Sequence, residues 1–464
     1  MRIPWGGSWV NLVLLNLAGV LLARWAGRRS GQPVLGWLAA GLFVLSGPVI
    51  ENVYTLSKSE LLQVVLILGG LNLLEARADP LLRQRLWRWA GAMLLFLLAA
   101  GVKETTLVIG PIGLGWVLLG FWHARRHPET GSPAPALGLA VTGWLAGGLF
   151  YALRRLVIPT ALTAGTYTNA YALTASAILA SLTRWAGWLL RDFLYLLPLA
   201  ALLLYLWLRR KPLPGASLAL EALVWMAGWM VIFLPWVYMV EYYMLPFGVG
   251  AAVLGAVGLV EAGRALRTRE QRPLMALGLG LSLLLFLSTL PTHLTNARLQ
   301  VAVDRANDEA LRYVAAHLPP QATLLINLQD PNEYYEQIGL RLRTQYARAD
   351  LHLQPFQPDT AYATPYYVLS PSIQNQPRLS VRLGVYEPTQ AHWNASLAQF
   401  LAAQAPTAHP IATFTQSLRL FNVNWPRGLC FALPHLNYCA QAEPFLDRRP
   451  FTYGWTLYVV TDAR

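Results

Sequence analysis

The sequence predicts a polytopic α-helical membrane protein of about ten spans with a C-terminal α/β domain. Three observations predict this. About ten apolar stretches crowd the first 290 of 464 residues, and the last 170 hold none. Charged residues make up 13% of the chain, about half of the roughly 25% usual in soluble domains. The basic residues collect in alternate short loops. A large soluble helical core is excluded, because so many apolar runs in one half of a chain could not all be covered. The boundary falls at 291/292, giving a membrane domain, 1–291, and an α/β domain, 292–464.

Candidate spans lie near 9–25, 34–50, 60–75, 87–102, 105–122, 136–156, 191–208, 218–236, 243–262 and 273–290, each approaching the roughly 20 residues that cross a bilayer. One set of loops holds 16 basic residues (Arg24, Arg28 and Arg29; Arg77, Arg83, Arg85 and Arg88; Arg125 and Arg126; Arg209, Arg210 and Lys211; Arg264, Arg267, Arg269 and Arg272), and the other set holds 7. The positive-inside rule puts the first set in the cytoplasm. The N-terminus, the 156–190 loop and the α/β domain are then expected outside, with the chain in the inner (plasma) membrane. A short outside N-terminus without a cleavable signal is unusual, and the simplest repair is a span preceding Met1. The net charge of +13 follows this topology, so no nucleic-acid partner is inferred. Basic residues are almost all arginine, with lysine only at 58, 103 and 211, which fits a GC-rich bacterial genome.

Ionic side chains between apolar spans are costly and default to functional candidates. Three groups fall where an even-numbered span hands over to an odd-numbered one. The first, 47–60, carries Glu51, Lys58 and Glu60; the second, 103–106, carries Lys103 and Glu104; the third, 236–246, carries Glu241 and Tyr243. They are predicted to meet in one outward-facing cleft. Two lysines, several carboxylates and aromatic walls suit a ligand with a phosphate head and a lipid tail. Lys58 and Lys103 would hold the phosphate as point charges, and Arg154 and Arg155, at the outer end of span six, would add to its capture. Glu51 or Glu60 would serve as general base toward an acceptor hydroxyl. The plainer alternative is that these are interfacial charges that snorkel and pair locally, Lys103 with Glu104 for example. Segment 172–190 reads as an amphipathic helix on the outer membrane surface that could gate a lipid sideways. The scattered histidines, His293 among them, show no ligand spacing, so no protein metal site is expected; a divalent cation bridging donor phosphate and carboxylate remains open.

These same segments carry a resemblance. GPVIENVYTLSKSELL, from Gly47, resembles the "HP…E…V…isgR.d.L" segment of GT-C glycosyltransferases. Those nearest in pattern are the protein O-mannosyltransferases with tetratricopeptide tails and the ArnT-like enzymes. KETTL, from Lys103, resembles their "SKE-x-x-L" motif, and EYYMLPFGVG, from Glu241, their "E-R-Y-x-x-x-P" motif. The match runs from about Trp9 to Pro291. It implies an enzyme that transfers a sugar from a polyprenyl-phosphate donor to an extracytoplasmic glycan, lipid or protein with inversion. Glu51, Lys58 and Glu60 fall on the first motif, Lys103 and Glu104 on the second, Glu241 and Tyr243 on the third. Two arginines of the family pattern are Lys58 and Tyr242 here. The family's catalytic acid lies in the first outside loop, and this chain has no acidic residue before Glu51. The missing span and the missing catalytic loop are thus one absence, and a catalytically inactive GT-C-like protein of envelope assembly is the alternative. A transporter would want mid-membrane broken helices and inverted repeats, and no repeat is seen.

After span ten the pattern changes. Leu299, Val303, Ala306, Ala310 and Val314 recur at helical spacing over 296–317. A strand is predicted at 323–328, a helix at 330–346, strands at 351–353, 366–369 and 455–460, and a helix at 394–402, connected to the last span by a short linker, 291–295. This suggests an α/β sandwich with a partly parallel sheet. No glycine-rich phosphate loop follows the first strand. Tyr334, Tyr335, Trp393 and Trp425 are read as core or interface aromatics that could instead stack on sugars. Asn394-Ala395-Ser396 fits a glycosylation acceptor. Cys430 and Cys439 allow either one disulfide or two free thiols.

Overall fold

A computed structural model describes residues 6–53, 59–75, 82–126, 134–157, 172–209, 213–236, 241–267, 269–328, 333–358, 360, 362–377, 387–403, 407–432 and 444–461. The chain divides into two compact units, Met1–His293 with Gly428–Cys439, and Leu294–Arg427 with Ala440–Arg464.

The first unit is helical: α1 (Gly6–Ser30), α2 (Pro33–Val44), α3 (Gly47–Val53), α4 (Glu60–Leu74), α5 (Leu82–Val102), α6 (Ile109–Arg126), α7 (Ala134–Val157), α8 (Ala175–Asp192), α9 (Leu196–Leu208), α10 (Ala216–Phe233), α11 (Leu245–Ala265) and the start of α12 (Arg272–His317). Two 3-10 turns, Glu104–Val108 and Glu241–Met244, lead into α6 and α11. All ten expected spans contain helix, but among the described residues seven helices are long and apolar enough to cross a membrane, or eight if one bent pair counts as a span. The shortfall has local causes. The second segment breaks after Val44 and restarts at Gly47-Pro48 as a separate short helix. α4 has 15 residues, about 22 Å at 1.5 Å per residue, against a hydrocarbon core of about 30 Å. The segment at 172–190 is a helix as expected, α8, but it runs on to Asp192 and turns by 90° into α9, so the span expected from 191 starts at Leu196.

α11 is the hub of this unit. Its apolar glycine- and alanine-rich sequence is buried almost all round, and α2, α9 and α10 pack on it. Small residues let helices approach closely without a hydrophobic drive between them. At Gly36, a Cβ would collide with the Ala23 carbonyl, so the α1–α2 hairpin needs glycine there. At the end of the bundle where α1 and α4 finish and α10 begins, Arg29 forks onto Glu221 at 3.0 and 2.5 Å and reaches Glu75 at 3.2 Å.

α12 corrects the expected linker at 291–295. It is one helix of 46 residues with Pro291 inside it. Proline removes one backbone donor. In the turn before it, hydroxyls back-bond to helix carbonyls, Ser288 onto Leu285 at 2.7 Å and Thr289 onto Phe286 at 2.8 Å, a pattern that often bends helices.

The second unit is an α/β domain. Its five-stranded sheet has the order β2-β1-β3-β7-β4, with β1 (Thr323–Ile326), β2 (His352–Pro355) and β3 (Tyr366–Gln374) parallel, and β7 (Pro450–Val460) antiparallel to β3 and to β4 (Ala408–Arg419). The remaining two strands, β5 (Asn422–Val423) and β6 (Leu446–Asp447), form a small ribbon. On one face, the five apolar residues predicted for α12, Leu299 to Val314, join Ile338 and Leu342 of α13 (Glu333–Gln345) over Leu324, Ile326 and Trp455. On the other, Leu397 of α14 (Glu387–Ala403) covers Leu325, Val368 and Val460. Burial on both sides explains why β1 reads as a continuous apolar run. Strand β4 is missed by sequence pattern because it is a half-exposed edge with Pro410 and a register shift near its start, where proline is tolerated.

Arg348 closes the end of α12, donating to the carbonyls of Ala315, Leu318 and Pro319 at 2.6, 3.0 and 3.0 Å. Asp350 clamps it at 2.9 and 3.0 Å. The Arg348 guanidinium, helped by the Gln321 N–H, lowers the exposed Asp350 carboxyl to about 2. Asn394 is not presented as a glycan acceptor, because its amide donates to the Pro371 carbonyl at 2.9 Å and its oxygen accepts from Gln390 at 2.7 Å. Cys430, in the short helix α15 (Arg427–Ala432), is disulfide-bonded, which removes the free-thiol alternative. Tyr335 is a core residue, its hydroxyl donating to the Leu353 carbonyl, and Trp425 meets Phe445 edge-on at 5.1 Å. The side chain of Tyr334 lies outside the described residues.

Candidate functional site

The three junctions singled out in the sequence lie at one end of the first unit. α4 begins there, and Glu60 and Gln63, three apart, share one helix face. Gln63 is fully buried and donates to Thr105 at 3.1 Å and Thr106 at 2.8 Å. Thr106 in turn donates to the Lys103 carbonyl at 2.9 Å. This fixes the turn at the end of α5, and Lys103 reaches across to pair with Glu60. The Lys103 ammonium also sits 3.9 Å from the centre of the Tyr243 ring, a cation–π contact. Tyr243 stacks on Phe233 at 4.8 Å and meets Trp236 edge-on at 6.2 Å. The turn carrying Tyr243 packs against α3, which carries Glu51.

Glu51 belongs to a second cluster that sequence reasoning missed. Arg191 Nη2 donates to Glu51 at 3.2 Å and to Asp192 at 2.9 Å, and its Nε donates to Asp192 at 2.6 Å. His293 Nε2 lies 3.0 Å from Asp192. All four side chains are at least 97% buried. Gly47 abuts the pair, since a Cβ there would fall within 2.7 Å of Asp192 and nearer still to His293. The elements joined are α3, the end of α8 and the middle of α12. Among the described residues no group of three His, Cys, Asp or Glu is placed to hold a metal ion.

Glu60, Lys103 and Tyr243 are therefore brought together, and Glu51 lies in the second cluster with Arg191. Glu104 is not part of this core. It starts the 3-10 turn and faces Arg154 at 3.3 Å, both half exposed. Two corrections follow: Lys103 pairs with Glu60 rather than with its sequence neighbour Glu104, and Arg154 is held by that carboxylate. Arg155 donates to the Tyr151 hydroxyl at 2.9 Å, one helical turn back. Lys58 lies outside the described residues, as does the side chain of Glu241. Arg191, Asp192 and His293 left one signal in the sequence, ionisable residues inside or beside apolar helices, and it was read only as topology and scattered histidine.

Chemically, the Glu60–Lys103 pair is a carboxylate with one oxygen charge-paired and the other, Oε2, buried without a hydrogen-bond partner. A buried acceptor without a donor is costly, and a carboxylate so placed can take a proton from a hydroxyl. Lys103 contributes a positive charge in an aromatic setting.

No family model matches the chain, and no curated protein sequence matches it. Among solved structures the chain is similar in fold to ArnT from Cupriavidus metallidurans bound to undecaprenyl phosphate, with 12% identity over 96% of this chain and 84% of that chain at a TM-score of 0.41. It is likewise similar to the Archaeoglobus fulgidus oligosaccharyltransferase in the apo form, with 13% identity over 76% of this chain and 50% of that chain at a TM-score of 0.39.

Proposed function

We propose that the first unit binds a polyprenyl-phosphate-linked sugar at this end of the bundle and transfers the sugar, with inversion, to an extracytoplasmic acceptor. The observation that carries the reading is the junction of Glu60, Lys103 and Tyr243, a buried carboxylate, an ammonium and an aromatic face at the ends of apolar helices. Lys103 holds the donor phosphate, and the aromatic wall of Phe233, Trp236 and Tyr243 flanks it. The acceptor oxygen attacks the anomeric carbon. Its proton passes to Glu60, and the bond from that carbon to the phosphate oxygen breaks, its electron pair leaving with the polyprenyl phosphate. Undecaprenyl phosphate, the ligand in the ArnT structure, has the required chemistry. The basic loops at 209–211 and 264–272 support placing this end on the non-cytoplasmic side of the inner membrane, and the disulfide at Cys430 fits that side.

The test is sugar release and transfer from a polyprenyl-phosphate donor by the full chain in proteoliposomes. Wild type is expected to turn over, and Glu60→Gln to lose at least 100-fold while still binding the lipid. Equal turnover by the two proteins removes Glu60 from the reaction. A second reading, a GT-C-like protein that binds the lipid without transfer, is favoured by the pairing of both carboxylates, Glu51 with Arg191 and Glu60 with Lys103. Lipid binding without turnover by wild type selects it.

A further inference from the structure

The β5–β6 ribbon of the second unit is inside out for a structure bathed in water. Its register pairs Asn422 with Asp447 and Val423 with Leu446, and successive residues of a strand face opposite sides. One face carries Leu420, Asn422, Asn424 and Asp447, all buried. The other carries Phe421, 42% exposed, and Leu446, 39% exposed, with Val423 half-buried and Arg448 exposed. Phe445, at the end of the ribbon, is 50% exposed. The inversion is held in place by charge. Arg449 forks onto the buried Asp447 at 3.0 and 2.9 Å, so a one-residue slip that hid Phe421 and Leu446 would break this ion pair. Large apolar side chains grouped on one exposed face mark a surface that is covered in use.

Two observations say what covers it. The first is depth. The Thr295 hydroxyl of α12 donates to the Phe421 carbonyl at 3.3 Å. Thr295 lies five residues past Leu290, the end of the last apolar stretch, on the same continuous helix. That is a rise of about 7–8 Å, against a headgroup layer roughly 5–8 Å deep on each side of the hydrocarbon core. Phe421 is therefore tied to the helix at the level of the lipid headgroups.

The second is charge. Arg448 lies over the Phe421 ring at 5.5 Å, and Arg419, at the end of β4, is also exposed. The carboxylate of the ribbon, Asp447, is buried and already engaged by Arg449. The exposed face thus pairs apolar side chains with positive charge, the composition of surfaces that lie in a membrane interface, where anionic lipids attract arginine. We propose that this face of the ribbon docks on the membrane, its apolar side chains entering the headgroup layer and Arg448 meeting the phosphates of anionic lipids. The proposal stands independently of any sugar transfer by the first unit.

The test places a fluorescent label on Leu446→Cys in the full chain, reconstituted in vesicles of phosphatidylcholine and phosphatidylglycerol that carry a quencher just below the headgroups. Cys430 is disulfide-bonded, so the introduced thiol takes the label. Leu340→Cys is the control, an exposed leucine beside Arg341, which donates to Asp308 of α12, about 20 Å further along the helix than Thr295. Quenching at position 446 is expected to exceed that at 340 at least five-fold, and adding Arg448→Glu should lower it at least two-fold. Equal quenching at the two positions overturns the proposal, as does quenching at 446 that Arg448→Glu leaves unchanged. Energy transfer between labelled copies without lipid quenching also overturns it and assigns the patch to a second copy of the chain.

Discussion

Lys103 and Glu60 are 43 residues apart in sequence and form one ion pair at the edge of an apolar bundle. Burying such a pair is roughly neutral against a well-packed apolar pair, whereas removing one partner strands the other charge at a cost of about 3–5 kcal/mol. Lys103→Met is therefore expected to lower the melting temperature of the detergent-solubilised protein sharply, and Lys103→Met with Glu60→Leu to recover most of the loss. A double variant no better than the single one would show that the two side chains are not each other's partner. Gly47 is constrained in a different way: Gly47→Ala must displace Asp192 or His293, and a lower melting temperature is the expected readout. At this scale the sequence was informative for Glu51, Glu60 and Lys103, because charge in an apolar setting is conspicuous in a string of letters. It was uninformative for their partners. Arg191 meets Glu51 across 140 residues and His293 meets Asp192 across 101, and no spacing rule reaches that far.

Elements were legible where one periodicity ruled and illegible where two physical demands met. The stripe from Leu299 to Val314 lies in the core as its spacing requires. Pro291 reads as a break, yet α12 runs through it, because proline's cost is local and packing on both sides is not. Proline in a helix interior costs about 3 kcal/mol relative to alanine, so Pro291→Ala is expected to raise the melting temperature; a lower one would mean that proline's geometry there is needed. The closing of α12 by Arg348 and Asp350 has a pH signature. Asp350 has its pKa depressed in the folded state, so its contribution is present above the ordinary carboxylate value near 3.9 and is lost as pH falls toward about 2. Melting of wild type between pH 5 and pH 2 should show a steeper fall across that window than Asp350→Asn does. Parallel curves for the two proteins would show that the clamp contributes nothing.

On the scale of the molecule, composition alone separated a membrane half from an α/β half, and arginine placement gave an expected side for each helix end. The structure adds which ends meet: Glu60, Lys103 and Tyr243 at one, Arg29, Glu75 and Glu221 at the other. The expected outcome for topology is that Arg154→Cys reacts with a membrane-impermeant maleimide added outside intact cells, while Arg209→Cys reacts only after permeabilisation. The reverse pattern would turn the site to the cytoplasm and remove the reading of an outward-facing transferase. The proposed role of Lys103 is to hold a lipid phosphate beside Glu60. Titrating undecaprenyl phosphate into the protein and its Lys103→Ala variant reads out that role. A hydrogen bond to a charged group contributes about 1.5–3 kcal/mol, so wild type should bind saturably and the variant about 10- to 100-fold more weakly. Equal affinity in the two proteins would contradict it.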